Sequence, residues 1–120
     1  MDTAIAADAL ACLRSSATKC PAGQAFERGP GRAAGEVLAW SFARTVSVLQ
    51  RFGRLPLKLG TRSQQPTAQE TTLLTILGDL VAGREDMAEL RAQWLVPKQR
   101  QAVLLRALKP AADILRDQAI

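Results

Sequence analysis

The run from Ala33 to Phe52, AAGEVLAWSFARTVSVLQRF, constrains the fold more than any other stretch of this 120-residue chain. At 3.6 residues per turn it makes about five and a half helical turns. Val37, Leu38, Trp40, Phe42, Val46, Val48 and Leu49 spread around most of the wheel, while Glu36, Arg44 and Arg51 fall close to one narrow side. A helix apolar over most of its circumference must be covered on most of it. The run is therefore expected at the centre of a helical bundle, or buried where copies of the chain meet. Gly53 is expected to end it as a left-handed residue just past the cap.

The remaining chain supplies helices to surround it. A first helix is expected from about Asp2 or Thr3 to Leu13, with Ile5, Ala9, Cys12 and Leu13 near one face. Residues 15–32 concentrate Ser, Thr, Pro and Gly and read as a loop, with Phe26 placed to pin it to the core. The sharpest local signal is the capping box of Thr67 and Glu70. The Thr67 hydroxyl is expected to accept from the Glu70 amide while the Glu70 carboxylate reaches back to the Thr67 amide. Leu73, Leu74, Leu77, Leu80 and Val81 follow at helical spacing, and Gly83 closes the run.

A fourth helix is expected from Glu85 to about Leu95, with Met87, Leu90 and Trp94 facing inward and Glu85, Asp86 and Glu89 near its positive end. Pro97 suits the first turn of a fifth, which presents Val103, Leu104, Ala107, Leu108, Ala111, Ile114 and Leu115 on one broad face. Within it Pro110 removes a hydrogen bond and should kink or split the helix. Ala and Leu dominate the apolar set and aromatic residues are few, so composition agrees with helix. The fold expected is all-α: one domain over residues 1–120, a compact bundle of four to five helices with an extended strap between the second and third. Residues 1–31 contribute an N-terminal helix and loop.

That strap, RFGRLPLKLGTR, holds the most concentrated charge of a chain whose net charge is +5. Residues 31–63 carry six cations against Glu36 alone, whereas the flanking segments are balanced. In one reading Arg44, Arg51, Arg54, Lys58 and Arg62 meet the phosphates of a nucleic acid, with a salt slope of about −3.6 if four are neutralised. In the other, Leu55, Leu57 and Leu59 lie on the bundle while Arg54, Pro56 and Lys58 face outward. The leucine alternation favours the second. Arg makes up twelve of the sixteen cations, which a GC-rich coding sequence explains as readily as a function.

Several chemistries are absent from the composition. With no His and no Tyr, imidazole acid–base catalysis, Ser-His-Asp triads, Cys-His dyads and His-based metal sites are excluded. Cys12 and Cys20 are too far apart for a C-x-x-C motif, and no secretory signal precedes them, so free thiols in a reducing cytoplasm are expected. Glu85, Asp86 and Glu89 read as a solvated face that complements the helix dipole. RGPGRAAGE lacks the strand and the Lys-Ser/Thr ending of a P-loop. A helix-turn-helix around Gly83 fails in register, because Asp79 and Arg84 fall where apolar residues should pack. No window is apolar enough for a membrane span.

RLPLKLGTRSQQPTAQETTLLTILGDLVAG, followed by WLVPKQRQAVLLRALKPAADIL, resembles a family of small uncharacterised helical proteins of alphaproteobacteria over the C-terminal two thirds of the chain. The shared features are an extended leucine-bearing segment, a capped acidic helix start with paired leucines, and a WLV before a leucine-rich final helix. The resemblance implies a compact helical fold and transfers no activity.

The function expected is a non-enzymatic interaction or regulatory protein, self-associating as a homodimer through the second, third or fifth helix, with no cofactor. The alternative is nucleic-acid binding through the 44–62 cationic segment. A third reading, an enzyme built on carboxylates and Arg, would need a pocket lined by Glu36, Arg44 or Glu70.

Overall fold

Over the described residues, the runs in which apolar residues recur at helical spacing form helices, one of them shorter than its pattern. The computed structural model describes residues 7, 9–14, 32–58, 60 and 65–118, and over them the fold is all-α. Helix α1 covers residues 9–14, α2 Arg32–Phe52, α3 Ala68–Val81, α4 Glu85–Ala92 and α5 Gln101–Gln118, with a 3₁₀ turn at Lys98–Arg100 leading into α5. The expected contributions of Ile5, Phe26, Leu59 and Cys20 lie outside the described residues.

The hub of the bundle is α5, not α2. Helix α5 packs against α2, α3 and α4 in turn, whereas α2 has its main partner in α5. The reason lies in side-chain size. Ala107, Ala111 and Ala112 are buried among Leu104, Leu108 and Leu115, and these small residues let neighbouring helices approach α5 from several sides. Helix α2 buries Leu38, Phe42, Val46 and Leu49, but turns Val37 and Trp40 outward. Its apolar circumference is thus only partly covered within one chain.

Where α2 crosses α5, one polar side chain enters the helix beside Pro110. Helix α5 runs through Pro110 without splitting. The buried Ser41 hydroxyl donates to the Ala107 carbonyl and accepts from the Ala111 amide at 3.3 Å. It is therefore inserted into what would be an i→i−4 bond, and both backbone groups keep partners. Arg100 of the 3₁₀ turn stacks on Phe52 at the other end of α2, so the two helices run antiparallel.

The helix ends follow local rules with one exception. Thr67 caps α3 with both halves of the box formed. At the far end Gly83 has φ 78°, its amide reaches the Leu80 carbonyl and the Arg84 amide reaches that of Asp79, which is a Schellman stop. Gly53 differs from expectation. It is not left-handed; its amide continues the helical pattern to Leu49 O at 2.9 Å, and a Cβ there would run into that carbonyl oxygen. Close backbone approach, and not positive φ, requires the glycine.

The strap also departs from simple alternation. The Arg54 amide bonds Leu95 O and its Nε bonds Gln93 O at 2.7 Å, which fixes the start of the strap to the segment after α4. With residue 54 held that way, Leu55 is 70% exposed, while Leu57 packs against the core. Farther on, the Gln69 side chain accepts from the Lys58 amide and donates to Pro56 O. The Thr67 hydroxyl donates to Lys58 O at 2.9 Å. The strap is tied to the first turn of α3 through its backbone.

Helix α4 is shorter than its sequence pattern and faces the other way. It ends at Ala92, and it is Ala88 and Ala92, with Leu95 and Val96 beyond, that enter the core. Met87, Leu90 and Trp94 face solvent.

Candidate docking face

The outward stripe of α4 is the most apolar exposed feature among the described residues. Trp94 is 70%, Leu90 54% and Met87 39% exposed; Met87 and Leu90 lie about 60° apart on α4, and Trp94 stands in the turn just past its end. The helix turns this way because the small Ala88 and Ala92 fit against α3 and α5. Arg91 holds the turn by reaching Asp79 of α3, which is buried and also accepts from Arg84 Nε at 3.2 Å and Nη2 at 3.1 Å. A buried carboxylate with two guanidinium partners is satisfied, and it fixes the rotation of α4 about its axis. A sequence signal for this orientation exists: Asp86 lies only about 40° from Leu90 on the wheel, so an inward Leu90 would have drawn a carboxylate towards the core.

Charge is divided along the stripe. Asp86, about 40° from Leu90, flanks its N-terminal end beside a shallow groove lined by Gly83, Arg84, Glu85, Asp86 and Met87, while Glu85 and Glu89 lie about 100° or more round the helix from the stripe. Its C-terminal end carries Arg54, which with Gln93 and Trp94 lines a second shallow groove. Leu55, which follows Arg54 in the strap, is itself exposed.

The cations proposed from sequence do not form one cluster. Arg44 lies over the Trp40 ring at 5.0 Å and Arg51 over Phe52 at 5.6 Å, both on the outer side of α2. Arg54 is committed to the carbonyl of Gln93, Lys58 belongs to the strap at the start of α3, and Arg62 lies outside the described residues. Arg100, which sequence spacing gave no reason to include, joins Arg51 on Phe52 at 4.0 Å.

Glu70 does more than cap α3. It is fully buried, and Arg14 of α1 grips it with Nε to Oε2 at 2.7 Å and Nη2 to Oε1 at 3.0 Å. The Thr67 amide donates to Oε1 at 2.8 Å, and the Gly60 amide adds a further bond. Burial pushes the carboxyl up, but the Arg14, Thr67 and Gly60 bonds together outweigh it and hold Glu70 below its ordinary value. A Cβ at Gly60 would lie 2.6 Å from Arg14 Nη2, so a side chain there would press the guanidinium away from its place on Glu70. This ion pair joins α1, the strap and α3. It is a structural lock whose carboxylate oxygens are already occupied by donors.

Burial pushes the Cys12 thiol up to about 12, so it stays a protonated core group at neutral pH. No cluster of three or more Cys, Asp or Glu suited to a metal ion occurs among the described residues. No helix among them is long and apolar enough to cross a membrane. Compared with known proteins, the chain matches no family model, no curated protein and no solved structure.

Proposed function

We propose that this chain is a small non-enzymatic interaction protein that self-associates through the outer face of α4. The exposed stripe of Met87, Leu90 and Trp94 carries the proposal. Tryptophan is the residue most enriched at binding hot spots, and a contiguous apolar patch on a small domain marks a contact surface. The occupant is a second copy, in an antiparallel pair of α4 helices with a two-fold axis beside Leu90. The divided charge supports that arrangement. Antiparallel packing brings Asp86 of one copy towards Arg54 of the other, whereas parallel packing sets Asp86 against Asp86. It also lays Trp94 of one copy over Met87 of the other, at the groove running from Gly83 to Met87. An isologous contact of this kind closes as a dimer.

Helix α4 has eight residues, so the contact is small and the dimer dissociates readily. Sedimentation equilibrium from about 1 to 500 µM should show a monomer–dimer equilibrium. Trp94→Ala should weaken it by about thirtyfold or more, the effect of losing a hot-spot residue. A strict monomer at the highest concentration, or a dimer indifferent to Trp94→Ala, overturns the proposal.

A further inference from the structure

A second face of the molecule, independent of α4, combines an open aromatic ring with a line of cations. On the outer side of α2, Trp40, Arg44, Ser47 and Arg51 are all exposed and follow one another at spacings of four, three and four residues. Such spacing keeps them within about 60° on the helix surface, and the line is about 16 Å long. Phe52, half-buried at its end, carries Arg51 on its ring and Arg100 from the start of α5. Trp40, at the other end, is 51% exposed with the Arg44 guanidinium over its ring. Glu36 stands one turn before Trp40, and beyond it the sequence holds no acid until Glu70. A polyanion on this face is therefore drawn along the helix from Trp40 towards Phe52 and Arg100.

From this juxtaposition we infer that the outer face of α2 binds single-stranded nucleic acid, with a base stacked on Trp40 and the phosphates that follow held by Arg44, Arg51 and Arg100. Cations alone would suit any polyanion. The exposed indole selects a ligand with accessible flat rings, since base stacking on aromatic side chains is the common device of single-strand binders. A duplex keeps its bases stacked on one another and offers the indole nothing. Arg44 can stay on one side of the ring while a base takes the other, or swing to a phosphate, and either arrangement preserves a cation–π or ionic contact. The strap cations Arg54 and Lys58 take no part. They lie off this line, and Arg54 is held by the Gln93 carbonyl.

The test uses the full chain and a fluorescein-labelled 20-nucleotide oligothymidylate, read by anisotropy and by quenching of tryptophan emission. Expected are saturable binding at low salt, quenching that disappears in Trp40→Ala, and a fall in affinity of about tenfold or more in that variant. Three phosphate contacts predict a slope of log K against log salt near −2 for a single strand, reduced in Arg44→Ala/Arg51→Ala. Trp40 is half exposed, so the substitution leaves the core intact, and Arg54→Ala should leave binding unchanged. No binding at low salt overturns the inference. So does binding that Trp40→Ala leaves untouched, or equal affinity for a duplex or for inorganic polyphosphate, either of which reduces the face to unspecific charge.

Discussion

Replacing Arg14 by Met should remove a large part of the stability of this fold, and the loss should depend on pH in a definite direction. Arg14 supplies two of the hydrogen bonds that Glu70 accepts, and Glu70 is fully buried. Met keeps most of the volume but leaves a carboxylate inside without its cation. Breaking a buried pair by removing one partner costs about 3–5 kcal/mol, against a total of roughly 5–15 kcal/mol for a domain of this kind. In the wild type the folded Glu70 lies below its ordinary value of 4.5, so its contribution is present above that value and is lost as pH falls through the folded one. In the variant, burial no longer has the guanidinium to oppose it, and the folded carboxyl rises above the unfolded value. Its penalty is then present at neutral pH and is relieved as the carboxyl protonates. The gap between the two proteins should close towards acid. Urea unfolding followed by far-UV circular dichroism at about pH 7 and about pH 4 measures it. A gap under about 1 kcal/mol at neutral pH, or the same gap at both, would refute the reasoning.

Other substitutions probe the remaining polar devices. Thr67→Ala loses the cap on the Glu70 amide and the bond to Lys58 O, and should cost about 1–2 kcal/mol in the same unfolding assay. Ser41→Ala leaves the Ala107 carbonyl and the Ala111 amide facing each other across the space left by the hydroxyl, and should cost about 1–3 kcal/mol. A Ser41→Ala variant as stable as the wild type would show that α5 closes its own bond beside Pro110. With Cys20 changed to Ser, Cys12 should resist thiol reagents in the native protein and react only as fast as the fold opens, given its burial and its raised thiol value of about 12. Labelling at the rate of a free cysteine would contradict its place in the core.

The parts of the fold that depend on a few neighbouring residues were legible in the sequence. The Thr67 and Glu70 box, the Gly83 stop and the inward face of α5 all follow from spacing within one helix. What escaped depends on partners distant in sequence. Arg14 lies 56 residues from Glu70, and nothing local announces that the capping carboxylate also anchors α1. The rotation of α4 is a partial case: Asp86 beside Leu90 argues locally against an inward Leu90, but the Arg91–Asp79 pair that fixes the helix the other way reaches across to α3. Helix α2 was misplaced at the centre because a wheel shows how much of a helix is apolar, not how many neighbours reach it. On the candidate surfaces, Arg44 and Arg51 were found by charge alone. Arg100 was not, because it reaches Phe52 only through the antiparallel packing of α5 on α2.

Site-directed cross-linking tests the α4 pair most directly. In a Cys20→Ser background, a cysteine at position 90 sits beside the two-fold axis and meets its own mate. A cysteine at position 85 lies about 15 Å from its mate along antiparallel helices, beyond the reach of a disulfide. Under mild oxidation at about 100 µM, within the range that bounds the dimer, Leu90→Cys should form covalent dimers and Glu85→Cys should stay monomeric. A monomeric Leu90→Cys protein, or equal cross-linking at both positions, would contradict self-association through this face.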